Sequence, residues 1–288
     1  MRLSVLVSAL SLVALIGLVG CSSGNKIDAS SPKTAYEKGM AEYEEGDYTK
    51  AVQYFQSVFN YGRGNEWAPK AQFQLALAER KREKHLVAAN EFNRFTQLYR
   101  NNAKVPLAEF ERAKSYYLRS PRYHLDQSDT KKAIELFQLF VDRYPDHKLV
   151  SEAKTKIDEM QAKLAHKQYD AARLYERREM WEAATESYRS LFDQYPETPW
   201  ADDALLGALR SYVEYANLSV QRKQAERYQK ALDQYAQLEQ LFPESPLLEK
   251  AREFKTEAER KLQRVQQREQ QQSLAQDTTE STERESEK

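Results

Sequence analysis

The sequence predicts an all-α protein, a solenoid of about five helix pairs with a long connecting helix between the third and fourth pairs. Three observations predict it. Glycine (8) and proline (9) are scarce in 288 residues, and the Asn-Gly and Asp-Gly dipeptides of tight β-hairpins are absent. Ala, Glu, Lys, Gln, Leu and Arg, the better helix formers, dominate the chain. An alanine-and-aromatic phrase with helical spacing returns along it.

The first element is not part of the solenoid. Residues 1–20 carry one positive charge, Arg2, and then the apolar run LSVLVSALSLVALIGLVG, the pattern of a signal peptide. The run closes on Leu18-Val19-Gly20-Cys21, which resembles the bacterial lipobox, in which the cysteine becomes the new N-terminus and carries lipid. Cys21 is the one cysteine, so no intrachain disulfide is possible, and lipidation at Cys21 is expected. Several acyl chains on one residue hold a protein to a bilayer far better than one chain does. Ser22 in the next position resembles the outer-membrane default of lipoprotein sorting. Residues 21–33 form the lipidated N-terminus and a polar tether.

The repeats follow. Ala51, Phe55 and Val58 open the series, then Ala88, Phe92, Phe95 and Tyr99, then Ala133, Phe137, Phe140 and Tyr144. Ala184, Tyr188, Leu191 and Tyr195 come next, and Ala231, Tyr235, Leu238 and Phe242 close it. Offsets of 0, +4, +7 and +11 share one helix face. Pro145, Pro196 and Pro243 then stop the last three of these helices, because proline has no N–H for the next bond. The small alanine predicts close backbone contact, so Ala133, Ala184 and Ala231 are expected to be buried. In the first copy Gly39 permits a close helix approach, and Gly46-Asp47 makes the turn. The phrase resembles the tetratricopeptide repeat over residues 34 to about 256. The alanines stand 37, 45, 51 and 47 residues apart, longer than the usual 34. The excess falls in an inserted loop at residues 119–130, a long helix over 149–179 and an extension at 217–226. We therefore expect N-terminal repeats 1–3 over residues 34–148 and the long helix with repeats 4–5 over 149–261. A polar tail over 262–288, with no apolar face to bury, is expected to be disordered.

Composition and motifs exclude several function classes. Forty-four basic residues balance 44 acidic ones, which argues against nucleic acid as a partner, since that requires an excess of Lys and Arg. No catalytic or metal-binding constellation stands out, and no cofactor is expected. His85, His124, His147 and His166 do not form the HExxH pattern, there is no GxSxG elbow, and Gly62-Arg63-Gly64 lacks the Lys-Ser/Thr of a phosphate loop.

The aromatic residues carry more information. There are 18 tyrosines, of which Tyr188 and Tyr235 occupy the packing position. If the repeat register holds, the first helices direct Tyr36, Met40 and Tyr43 inward, then Phe73, Leu77 and Arg80, then Phe110, Lys114 and Tyr117. Amphipathic rings with intervening cations suit an extended peptide bearing aromatics and a carboxylate. The alternative, that these rings pack neighbouring helices, stays open.

Taken together, LVGC with Ser22, the first repeat from Tyr36 and the stretch FVDRYPDHKLVSEAKTKIDEMQAKLAHKQYDAARLYERREMWEAATESYRSLFDQYPETPWADDA at 140–204 resemble the BamD family of outer-membrane protein assembly lipoproteins. The resemblance implies a non-catalytic scaffold, lipid-anchored to the outer membrane and facing the periplasm. Its implied partners are a β-barrel assembly protein with POTRA domains, held by the C-terminal repeats, and unfolded outer-membrane proteins, received by the N-terminal repeats. A second class is a periplasmic tetratricopeptide coordinator of envelope constriction or peptidoglycan synthesis. Its relatives carry a coiled-coil segment before fewer repeats, and none precedes Tyr36 here.

Overall fold

The computed structural model describes residues 29–286, with side chains as far as residue 275. The expected signal peptide and the expected lipidation site, Cys21, lie outside the described residues. Among those described there are eleven α-helices and no strands, and the chain is an all-α tetratricopeptide-like solenoid. The described residues divide into two compact units, the first ending at Val105 and the second beginning at Pro106.

The first unit holds α1 (Pro32–Glu45), α2 (Tyr48–Ser57), a 3₁₀ turn (Val58–Tyr61), α3 (Ala68–Lys81) and α4 (His85–Leu98). Their ends follow from local chemistry. Ser31 caps α1 by accepting the N–H of Thr34 at 3.1 Å, and Pro32 sits where its missing N–H costs nothing. Gly46 ends α1 in the left-handed conformation, at φ 85°, and Asp47 then caps α2 by accepting from the N–H of Lys50 at 3.0 Å. Asn65 accepts from the N–H groups of both Trp67 and Ala68 at 2.9 Å, which starts α3. Each helix packs on the next, and the short connections between them reverse the chain from one helix to the next. A Cβ on Gly39 would meet the Phe55 ring at 2.7 Å, so the close approach of α1 and α2 requires glycine there.

The second unit holds α5 (Val105–Arg119), α6 (Ser128–Arg143), α7 (Val150–Arg177), α8 (Trp181–Gln194), α9 (Ala201–Asn217), α10 (Gln221–Leu241) and α11 (Leu248–Ser286). Phe110 and Ala113 of α5 share a core with Phe137 and Phe140 of α6 and with Ala153, Ile157 and Met160 of α7. That shared core is why the expected division near residue 148 falls inside this unit. A second cluster joins α7, α8 and α9 through Ala172, Tyr188, Leu191, Ala204 and Ala208.

The repeat phrase packs as its spacing predicts. Ala51, Ala88, Ala133, Ala184 and Ala231 are fully buried, and so are Val58, Phe95, Phe140, Leu191 and Leu238 seven residues on. At +11 the chain leaves the helix in one recurring geometry. The N–H groups of Tyr99, Tyr144, Tyr195 and Phe242 all reach the carbonyl four residues back at 2.9 Å, while ψ swings to between 50° and 61°. The proline that follows the last three disfavours the α region for its predecessor. The tail departs from expectation. Residues 262–286 continue α11 as helix. Its Gln, Glu, Arg and Lys favour the helix without needing a buried face, and Ala258 and Val265 are buried in the core of α9 and α10.

Candidate peptide-binding surface

In the first unit the predicted row divides into core and surface. Phe73 is only 3% exposed and stands edge-on to Phe92 and Phe95 of α4, at 5.5 and 5.6 Å between ring centroids. It is a core ring and offers no open face, which corrects its assignment to the row. Tyr36 is half-buried, 5.9 Å from Phe55 and 5.3 Å from Trp67, and burial pushes its hydroxyl above the ordinary range. Tyr43 is half-buried and lies edge-on to Tyr48 at 5.2 Å. Leu77 and Arg80 are also half-buried, and the Arg80 guanidinium lies 5.8 Å from the Phe92 ring centroid. Tyr43, Leu77 and Arg80 thus present an apolar and cationic surface on α1 and α3.

In the second unit Phe110 is 1% exposed and packs between Phe137 and Phe140, so it too belongs to the core. Lys114 pairs with Glu152 at 3.5 Å. The Tyr117 hydroxyl donates to Glu159 at 2.8 Å, and Lys156 lies 4.3 Å from its ring centroid. Burial and then the Glu159 carboxylate raise the Tyr117 pKa. Lys114 and Tyr117 are met by acidic groups of α7.

Two clusters in this unit carry no local sequence signal. The loop at 120–127 is fastened to α7. Tyr123 donates to Asp170 at 2.8 Å, Lys163 to the Ser120 hydroxyl at 2.7 Å and Lys167 to the Leu125 carbonyl at 2.6 Å. The Tyr123 ring stacks on His166 at 3.9 Å, and His166 stacks on Trp200 at 4.2 Å, so three rings from distant segments form one column. Beside it Glu176 binds Arg210 through both carboxylate oxygens and accepts from the Tyr188 hydroxyl at 2.7 Å. Burial, followed by the Glu176 hydrogen bond, pushes the Tyr188 pKa strongly upward. Residues paired over 34 or more positions leave no periodic trace, although the Tyr188 repeat position does mark one member.

Among the described residues no group of three His, Cys, Asp or Glu is placed to hold a metal ion, and no helix is long and apolar enough to cross a membrane. Comparison with known families matches residues 28–226 to YfiO, described as an outer membrane lipoprotein. The chain is 28% identical over 215 residues to the outer membrane protein assembly factor BamD of Rickettsia prowazekii, covering 74% of this chain and 85% of that one. It is 24% identical over 204 residues to BamD of Haemophilus influenzae, covering 67% and 78%. A tetratricopeptide-repeat protein of Bacteroides fragilis superposes loosely on it, with a TM-score of 0.44 and 12% identity over 80% of this chain and 99% of that one.

Proposed function

This chain belongs to the YfiO family of outer membrane lipoproteins, and we propose from that premise that it is a non-catalytic scaffold of the β-barrel assembly machinery. It is held to the outer membrane by lipid on Cys21 and faces the periplasm. It helps to insert and fold outer-membrane β-barrel proteins, with the C-terminal repeats binding a barrel assembly protein that carries POTRA domains. The family match over residues 28–226 carries this reading. Affinity purification of the tagged chain from outer membranes tests it. A large barrel protein with POTRA domains should co-purify, and recovery of peptidoglycan-synthesis proteins instead would refute the assignment.

The first unit receives the client. An unfolded barrel protein offers an extended terminal strand with aromatic side chains and a free carboxylate. Tyr43 and Leu77 supply apolar contact and Arg80 meets the carboxylate. Each of the three contacts contributes about 0.5–1.5 kcal/mol, so together they support binding of about millimolar strength or weaker, which suits a protein that passes its client on. Titration with a labelled peptide tests this: Tyr43→Ala and Arg80→Glu should each weaken binding about 2- to 10-fold. An amidated peptide that binds as well as the free acid removes the role of Arg80.

A further inference from the structure

The first unit distributes charge and exposed rings unevenly between its two ends. Because its helices alternate in direction, α1 and α3 begin, and α2 and α4 finish, at the same end. Two hydrogen bonds tie the segments together there. The Tyr61 hydroxyl donates to the Ala29 carbonyl at 2.6 Å, and the Tyr99 hydroxyl to the Arg63 carbonyl at 3.3 Å. The first described residue, the turn after α2 and the loop after α4 therefore form one surface. Tyr61 is 44% exposed on it and Leu98 48%.

Segments 29–33, 58–70 and 98–104 at this end carry five cations, Lys33, Arg63, Lys70, Arg100 and Lys104, against the carboxylate Glu66 within them and Glu37 of α1, which pairs with Lys33 at 3.8 Å. Cations and rings are interleaved. Arg63 lies 4.3 Å from the Phe59 ring centroid and Lys70 lies 4.2 Å from that of Trp67. The opposite end, at 44–50 and 80–85, is nearly balanced, with five Lys and Arg against four Asp and Glu. Amphipathic rings set among Lys and Arg suit the interface of an anionic bilayer, where each cation gains about 1 kcal/mol.

We propose that this end of the first unit lies against the anionic phospholipid headgroups of the bilayer that the N-terminal anchor enters. The inference rests on the lipidation at Cys21 proposed above. The eight residue steps from Cys21 to Ala29 span at most about 29 Å when fully extended, so this end stays within that reach of the lipid. The opposite end is separated from it by the 14 residues of α1, about 21 Å. The tether permits contact at this end, and the charge distribution selects it.

The test uses the full lipidated protein in phosphatidylethanolamine vesicles with or without phosphatidylglycerol. A polarity-sensitive fluorophore is attached at Asn60→Cys or, on the opposite end, at Glu45→Cys. The Cys21 thiol is consumed by lipid, so labelling is specific. The probe at position 60 should shift to the blue and be quenched by nitroxide-bearing lipids, while the probe at 45 stays aqueous. Omitting phosphatidylglycerol, or introducing Arg63→Glu with Arg100→Glu, should lower the ratio of lipid-contacting to aqueous probe about 10-fold or more. Lys81→Glu with Lys84→Glu makes the same change of net charge at the other end and should leave that ratio unaltered. If the protein floats with the vesicles while the probe at 60 stays as aqueous as the one at 45, the surface contact is refuted and lipidation stands. If the protein does not float at all, both are refuted.

Discussion

Replacing Gly207 by alanine opposes two effects of known size. In the middle of α9 alanine is the better helix former by about 0.8–1.0 kcal/mol, so propensity alone predicts stabilisation. The added Cβ, however, would come within 2.5 Å of Tyr188 Cζ, 2.6 Å of Cε1 and 2.8 Å of Cδ1. The ring cannot easily give way. Tyr188 is fully buried, and its hydroxyl is held at 2.7 Å by Glu176, itself gripped by Arg210. Overpacking of this kind typically costs about 1–3 kcal/mol, and a rigid ring puts the cost at the upper part of that range. Gly207→Ala should therefore destabilise the second unit by about 1–2 kcal/mol and lower its Tm by about 2–8 °C. Thermal unfolding followed by circular dichroism measures this. Tyr188→Phe, which releases the ring from Glu176, should make the glycine substitution less costly, so the two changes should be non-additive. A rise in Tm for Gly207→Ala alone would falsify the close contact between α8 and α9.

Three further outcomes are expected. Glu176→Gln leaves Arg210 largely buried without its charge partner. It should cost about 2–3 kcal/mol in urea unfolding, below the range for a fully buried pair, and a cost under 0.5 kcal/mol would show the pair to be incidental. Glu179 turns the chain from α7 to α8 with φ 57°, so Glu179→Gly should relieve about 0.5–1 kcal/mol of strain; an unchanged urea midpoint would argue against strain at that turn. Burial, and then the neighbouring Asp202, push the Asp203 carboxyl above its ordinary 3.8. The folded state then holds that proton more tightly, so stability falls as pH rises from the unfolded pKa through the folded one. Asp203→Asn should accordingly raise Tm at pH 7 but give no such gain at pH 3, and an equal gain at both would contradict that linkage.

What the sequence reveals depends on how local each constraint is. The run Ala184, Tyr188, Leu191 and Tyr195 lies on one face of one helix, so spacing alone predicts its burial. The first helices are harder, because an interior helix is covered on more than one side. α3 buries Ala71, Leu75 and Ala78 in the core shared with α1 and α2, while Phe73 points to Phe92 and Phe95 on α4. A wide apolar arc of this kind makes a core ring look like an inward-facing one, whereas Phe110 of α5 faces Phe137 and Phe140 of α6, a pairing that spacing within α5 alone does not show. The column of Tyr123, His166 and Trp200 depends on three segments meeting, which no single window contains. The helical tail misleads differently: its residues favour helix intrinsically, and the lack of an apolar stripe hides that preference.

The 28 residues of α7 serve two neighbours in turn. Ala153, Ile157 and Met160 meet α6, and Ala172 meets α8. Ala153 and Ala172 are 19 positions apart, which at 3.6 residues per turn places them about 100° apart around the axis. That phase angle makes helix length a discrete variable. One inserted residue between them would turn everything beyond it by about 100° and swing Ala172 and Glu176 away from α8. An insertion of seven residues leaves an error of only about 20°. Descendants of this chain can therefore lengthen α7 in steps of two turns while keeping both contacts, whereas single insertions should be confined to the loops on either side.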